Sequence, residues 1–204
     1  VSEFDISLFG ESNENDLSDL IIRCLNQFAQ IPDNQEVIAN TVVEFYQGTF
    51  QSEDPTYRYS AILSLLSIVF INEQPQLTDF FITNINHLIE LISSDPSTNV
   101  RCISILILGK ILTHQIDSVS EELLSQVMSF LTESLEGSDT IILASICKML
   151  SSLFKNYGEN LVMIVYTTIC PILINMLDRP NLFDEPFFTF LNQALVSLIK
   201  SGPV

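Results

Sequence analysis

The side chains with the most chemical potential in this 204-residue sequence are its two histidines, His87 and His114. Glu90 follows the first by three residues and Asp117 follows the second by three, a spacing at which an imidazole and a carboxylate on one helix face could share a metal ion. The second pair spans a predicted helix end, and neither pair has a convincing further ligand at helical spacing. We therefore interpret both histidines as surface or helix-capping residues and predict no metal site.

Four cysteines, Cys24, Cys102, Cys147 and Cys170, are far apart in the sequence, and no two of them form a C-x-x-C pair. Each lies within an apolar run of helical character. This pattern predicts reduced core residues of an intracellular protein and disfavours disulfide or zinc roles.

The sequence contains no motif typical of catalysis. It lacks a glycine-rich phosphate loop and a G-x-S-x-G elbow, and none of its many serines has the sequence context of a nucleophile. We therefore predict a protein that is not an enzyme, has no catalytic residue and holds no cofactor.

A polar segment over residues 11–19 contains Glu11, Glu14, Asp16 and Asp19. It is either a terminal tail that runs into a helix N-terminus, where acids interact favourably with the helix dipole, or an acidic loop that contacts a basic protein. The sequence by itself favours the tail.

Helical periodicity dominates the rest of the chain. Between residues 96 and 113, for example, Val100, Ile103, Ile107 and Ile111 fall on one wide face. Glycine and proline are scarce and stand between such runs, which favours helices joined by tight turns. The pattern predicts an all-α fold with helices at residues 15–30, 33–50, 55–72, 76–93, 96–114, 119–136, 138–157, 159–178 and 184–200.

The turns between these helices recur at a nearly constant interval. Asp54 and Asp95 each precede a proline, as an N-cap acid before the first helical position, and they are 41 residues apart. Gly137 comes 42 residues after Asp95, and Asp178 comes 41 residues after Gly137. A two-helix unit that recurs every roughly 40–47 residues is typical of HEAT and armadillo arrays, and two helices per unit favour the HEAT type.

The sequence therefore predicts an α-α superhelix, a HEAT/armadillo-like solenoid of about four helix pairs plus one leading helix. One pair cannot bury its apolar face alone, so neighbouring pairs must stack. The first repeat is broken and there is no start methionine, which indicates an excised fragment that we expect to be monomeric. The predicted segments are a polar, acidic segment at 1–14, the solenoid at 15–204, the second helix of a broken repeat at 15–30, and repeats at about 33–72, 76–114, 119–157 and 159–200.

Charged residues at two turns support the repeat interpretation. Asp54 is followed by Arg58, and Asp95 by Arg101. An Asp at the turn and an Arg near the start of the second helix resemble the HEAT consensus, in which the two side chains form a ladder of charge-assisted hydrogen bonds between stacked repeats. We predict this structural role for all four residues.

The net charge is strongly negative and unevenly placed. Eight Lys and Arg against 25 Asp and Glu give a formal net charge of −17, which disfavours nucleic acid and membrane surfaces as partners. Basic protein segments are the natural complement, unless the acid only keeps an apolar chain soluble. Most basic residues lie in predicted second helices, whereas the first helices carry only acidic charge, a pattern that favours a solvated face over a binding face.

An uncharged stretch at residues 161–177 raises the question of a membrane span. It is short, contains polar residues and has acidic flanks, so it predicts a buried helix instead. Pro171 within it predicts a bend or a break, because proline removes one backbone donor.

Several short segments follow one another in the order and spacing of a known family. An acidic loop leads into CLNQFAQ at 24–30, followed by YRYSA at 57–61, LIELI at 88–92, DPS at 95–97, VR at 100–101, GKI at 109–111 and DRP at 178–180. Together, over residues 11–200, they resemble a central part of the importin-β (karyopherin-β) nuclear transport receptors.

This resemblance implies a protein that carries cargo or an importin-α-like adaptor through the nuclear pore under control of the GTPase Ran. It also implies binding of Phe-Gly nucleoporins between first helices, and a location in cytoplasm, nucleus and nuclear envelope. Only Glu11, Glu14, Asp16 and Asp19 carry over as functional residues, namely as the acidic loop for basic groups on Ran or an adaptor. The loop is less acidic than the family's, and the second helices are mildly basic where adaptor-binding members are acidic.

The alternative function is a non-transport HEAT scaffold or regulatory subunit of a multiprotein complex. The repeat architecture is compatible with both functions, because a fold does not fix a function. The acidic segment at residues 11–19 favours transport, since scaffolds do not require it.

Overall fold

A computed structural model describes residues 24–25, 27–71, 74–137, 139–156, 159–178 and 185–201 of the chain. Over these residues the chain is helical apart from its turns, with no strand, so the predicted all-α fold is confirmed. The chain divides into two compact units, Val1–Lys110 and Ile111–Val204.

The first unit is built from helices whose starts are set by proline. Proline occupies the first turn of the three helices that begin at Pro32, Pro55 and Pro75, where its missing N–H needs no partner. The elements are α1 (Pro32–Thr49), α2 (Pro55–Ser64), a 3-10 turn (Leu65–Ser67), α3 (Pro75–Ser94) and α4 (Thr98–Gln115), whose last residues belong to the second unit.

The second unit continues with helices capped by polar side chains. The Ser120 hydroxyl accepts a hydrogen bond from the Leu123 N–H, and the Asp139 carboxylate accepts one from the Ile141 N–H, which satisfies backbone donors at two helix starts. The elements after the 3-10 turn Ile116–Ser118 are α5 (Glu121–Leu135), α6 (Thr140–Asn156), α7 (Glu159–Met176) and α8 (Glu185–Ser201).

Local structure explains the positions of two helix ends that differ from the predicted ones. The helix predicted at 55–72 ends at Ser64 and tightens into a 3-10 turn, and residues 61–69 are all buried, so the apolar run continues after the α-helix has ended. The helix predicted at 96–114 begins at Thr98, because Asp95 is extended (ψ 130°) and its carboxylate accepts the Ser97 N–H.

Within α3 the apolar positions follow the helical period closely. Leu77, Phe81, Ile85, Leu88 and Ile92 occur at intervals of three or four residues and are all buried. The helix predicted at 76–93 is observed at Pro75–Ser94 because this stripe marks its full length.

Helices pack both within a predicted pair and between neighbouring pairs of the same unit. In the first unit α1 packs on α2, its partner in the pair, and side chains of α1 also meet α3. In the second unit α6 packs extensively on α8, while α5 contacts both α6 and α7, and α7 contacts α8.

The helix α7, which contains most of the uncharged stretch at residues 161–177, runs without interruption through Pro171, so the proline does not divide it. Among the described residues, no helix combines the length and the apolarity that crossing a membrane requires.

Candidate functional site

Arg58 and Asp95 form a bidentate ion pair in the first unit. Arg58 Nε donates to Asp95 Oδ2 at 2.8 Å, and Arg58 Nη2 donates to Asp95 Oδ1 at 2.9 Å. The side chains are only 11% and 3% exposed. A planar guanidinium matches a carboxylate in this geometry, so the pair fixes the start of α2 to the turn before α4.

The remaining guanidinium nitrogen of Arg58 binds the turn that precedes α2. Its Nη1 donates to the backbone carbonyls of Ser52 at 2.7 Å and Glu53 at 3.0 Å. One guanidinium therefore joins the turn before α2 to the turn before α4, which is the connection expected between successive helix pairs.

Asp54 and Asp95 have the same local role in their turns. The Thr56 N–H donates to Asp54 Oδ1 and the Ser97 N–H donates to Asp95 Oδ1, each at 2.8 Å. Asp95 is buried, whereas Asp54 is exposed. Both residues cap a turn, and the structure brings Arg58 to Asp95.

Arg101 occupies the corresponding place one pair later. Its side chain is half-buried, and its Nε donates to the Ile92 carbonyl near the end of α3 at 2.8 Å. This bond to the preceding helix parallels the bonds from Arg58 Nη1 to the carbonyls before α2.

An aromatic cluster joins α1 to α3. Tyr46 is fully buried, and its Oη shares a hydrogen bond of 2.8 Å with His87 Nδ1. The Tyr46 ring stacks on Phe50 with centroids 5.1 Å apart, and it meets Phe80 edge-on at 5.6 Å. Phe50 also meets His87 edge-on at 4.6 Å. These are the arrangements that aromatic quadrupoles favour.

His87 is therefore partly buried in the interior of α3, neither a fully exposed surface residue nor a helix cap. Desolvation lowers the pKa of His87, and the Glu90 carboxylate partly offsets the effect, so the imidazole is neutral at neutral pH. Burial raises the pKa of Tyr46, which keeps its hydroxyl protonated. The sequence signal for this contact was the 41-residue interval between Tyr46 and His87, which equals the spacing of the turns.

The other predicted sites have different outcomes. His114 is half-buried in the last turn of α4. The acidic-segment residues Glu11, Glu14, Asp16 and Asp19 lie outside the described residues.

Acidic side chains on the first helices of three pairs point to solvent. They are distributed over α1, α3 and α5 and the residue that follows α5. The exposed acids are Asp33, Glu36, Glu44, Asp79, Glu90, Glu121, Glu122, Glu133 and Glu136.

Side chains from α6 and α8 interlock in the second unit. The Ser151 and Ser197 hydroxyls share a hydrogen bond of 3.0 Å, and both residues are buried. Lys148 Nζ lies 5.5 Å from the centroid of the Phe190 ring, a cation–π contact. Lys148 precedes Ser151 on α6, and its partner Phe190 likewise precedes Ser197 on α8. The two helices therefore run parallel.

The four cysteines differ in their burial. All four are free thiols. Cys102 and Cys147 are buried as predicted, but Cys24 is exposed and Cys170 is half-exposed, so the core prediction is wrong for these two. Burial raises the pKa of Cys147 to about 12 and also raises the pKa of Cys170, which keeps both as poorly nucleophilic thiols.

No group of three or more His, Cys, Asp or Glu side chains is placed to hold a metal ion within the described part of the chain.

Comparison with known proteins found no match. No protein-family model matches the sequence, and neither a curated protein nor a solved structure matches it.

Proposed function

We propose that this chain is a HEAT-type helical repeat that binds other proteins. The observation that carries the proposal is the contact between Arg58 and Asp95, which ties the second helix of one pair to the turn of the next pair. The hydrogen bond between Tyr46 and His87, 41 residues apart, supports the same repeat among the first helices. Stacked pairs of this kind expose extended helical surfaces to which partner proteins can bind.

Each unit is a stack of helix pairs in this proposal. Stability in a repeat array depends on the interfaces between neighbours, so the loss of one contact should loosen the neighbouring pair. Amide hydrogen exchange of the Arg58→Ala variant tests this. Faster exchange in α3 as well as in α2 supports stacked pairs, whereas a change confined to α2 contradicts them.

The specific function we propose is nuclear transport of the importin-β type, without catalysis. The family resemblance and the acidic segment at residues 11–19 support it, and exposed acids on the first helices add negative surface for basic partners. Ran, an importin-α-like adaptor or cargo, and Phe-Gly nucleoporins are the proposed partners. Cytoplasm and nucleus, with passage through the nuclear pore, are the proposed locations.

Retention on immobilised Ran tests this function. We expect the chain to bind Ran loaded with a GTP analogue and not Ran loaded with GDP. Neutralising the acidic segment should weaken retention, because basic groups on Ran lose their partners. The variant is Glu11→Gln, Glu14→Gln, Asp16→Asn, Asp19→Asn.

The control variant removes the same negative charge from α5 and the residue that follows it. Its retention should fall less than that of the acidic-segment variant. No nucleotide-dependent retention of the unmodified chain would contradict a transport function. The control substitutions are Glu121→Gln, Glu122→Gln, Glu133→Gln and Glu136→Gln.

A non-transport scaffold or regulatory subunit is the second candidate. Lysines on the second helices favour it. Adaptor-binding receptors hold basic partners on acidic second helices, whereas this chain has Lys148 and Lys200 on its second helices. A scaffold would bind its protein partners with equal affinity in the presence of GTP-loaded and GDP-loaded Ran.

A further inference from the structure

The helices α6 and α8 carry no net negative charge, although the chain as a whole is acidic. The formal net charge of the whole chain is −17. In contrast, α6 (Thr140–Asn156) contains lysines and no Asp or Glu, and α8 (Glu185–Ser201) contains Lys200 and, as its acid, only its first residue. A partner drawn to these helices must therefore differ in charge from one drawn to the acidic first helices.

On α6, Ile141 and Lys148 lie on the same side. They are seven residues apart, about two helical turns. Ile141 is 55% exposed and Lys148 is half-exposed, although residues 142–147 between them are all buried. This side of α6 thus offers an apolar side chain and a cation.

On α8, Gln193, Val196 and Lys200 lie on one face, because they are spaced by three and four residues. All three are exposed, Val196 to 48%. This helix face also offers an apolar side chain next to a cation.

The two helix faces form one surface. The ammonium of Lys148 reaches over the Phe190 ring at 5.5 Å, one helical turn before Gln193 on α8. Beneath it, the buried bond between Ser151 and Ser197 holds the parallel helices together. Lys200 lies ten residues beyond Phe190, which places the two cations about 15 Å apart along the helix direction. We define the α6–α8 face as Ile141, Lys148, Gln193, Val196 and Lys200.

We propose that the α6–α8 face binds an acidic protein segment that also carries apolar side chains. Carboxylates of the partner pair with Lys148 and Lys200, and its apolar side chains cover Ile141 and Val196. A nucleic acid would match only the charge, and its dense phosphates would be repelled by the rest of this acidic chain. The inference rests on the proposal that the chain binds proteins.

The probe is a fluorescein-labelled synthetic peptide of Glu, Leu and Ser, with Leu spaced along an otherwise acidic sequence. Fluorescence anisotropy should show saturable binding that weakens as salt rises. The variant Lys148→Gln, Lys200→Gln should bind at least roughly fivefold more weakly, and Ile141→Ser, Val196→Ser should also bind more weakly.

A matched control makes the same change in net charge on the first helices. Gln47→Glu, Gln126→Glu alters exposed residues of α1 and α5, and its affinity should stay within about twofold of the unmodified chain. A peptide with Gln in place of every Glu should not bind. Circular dichroism confirms that each variant is folded.

Equal affinity of the unmodified chain and the Lys148→Gln, Lys200→Gln variant would overturn the inference, as would tight binding of the Gln peptide or no binding of the acidic peptide. Tighter binding of a single-stranded oligonucleotide or of phosphatidylserine vesicles, lost in the same variant, would overturn the partner class. If the peptide fails while GTP-dependent Ran retention persists, this inference alone is wrong. If the peptide binds and Ran is not retained, the transport function alone is wrong.

Discussion

Tyr46 and His87 share a hydrogen bond of 2.8 Å across 41 residues of sequence. The same interval separates Asp54 from Asp95. Equivalent positions of successive first helices therefore meet at Tyr46 and His87, while the ion pair between Arg58 and Asp95, 37 residues apart, joins the turns of the same two helix pairs. Both contacts are internal to the first unit, and both can be broken by single substitutions.

Replacing Arg58 with Ala should destabilise the protein strongly. The Asp95 carboxylate is 3% exposed and would lose both of its bonds to the guanidinium. A buried charge without its partner costs roughly 2–4 kcal/mol in the free energy of unfolding. Urea unfolding followed by circular dichroism measures the loss.

Two further variants separate charge from geometry at this position. Arg58→Lys should be intermediate, because an ammonium cannot make the two parallel bonds of a guanidinium. The double variant Arg58→Ala, Asp95→Ala should lose less than the sum of the two single losses. Additive losses would mean that the two residues stabilise the protein independently.

Replacing Arg101 with Ala should have a smaller effect. Its side chain is half-buried, and its Nε bonds a backbone carbonyl of Ile92 at 2.8 Å. We expect a loss of about 1 kcal/mol, below that of Arg58→Ala in the same urea experiment. A loss equal to that of Arg58→Ala would place Arg101 in an ion pair of comparable burial.

The positions of most helices could be predicted from the sequence because their apolar stripes are regular. The helix α3 is the clearest case, since its buried residues run at helical spacing from Leu77 to Ile92. The end of α2 could not be predicted, because residues 61–69 are buried on all sides and a continuous apolar run does not show where an α-helix becomes a 3-10 turn.

The contacts between pairs were harder to predict than the helices. Asp54, Arg58 and Asp95 stand at turns, where their residue types and spacing are visible in the sequence. The place of His87 depends instead on the register of α1 against α3, which the local sequence does not contain. A histidine beside Glu90 on one helix therefore looked like a surface residue, although its closest partner is Tyr46.

Acidification should reduce stability through His87. Desolvation places the pKa of His87 in the folded protein below its ordinary value of about 6.5, while the unfolded chain keeps that value. The unfolded chain therefore binds the proton first as pH falls. The stabilisation from His87 should be complete above about pH 6.5 and be lost as pH falls from there through the folded pKa.

The variant His87→Gln provides the comparison. Its free energy of unfolding should change less between pH 7 and pH 5 than that of the unmodified protein, because the same carboxylates titrate in both. In NMR spectra, the imidazole signal that disappears in the variant should titrate below pH 6.5. A titration above that pH would contradict the role assigned to burial at this site.

Removing the hydroxyl of either Ser151 or Ser197 should destabilise the packing of α6 on α8. The two buried hydroxyls share a bond of 3.0 Å, so each single alanine substitution leaves the other hydroxyl with one partner fewer. We expect each to cost about 1 kcal/mol, and the double variant to lose less than the sum, because it removes both polar groups together. Ser125 on α5 is exposed, so Ser125→Ala should change the free energy of unfolding by less than about 0.5 kcal/mol. A double variant whose loss equals the sum would show that the two hydroxyls do not act as a pair.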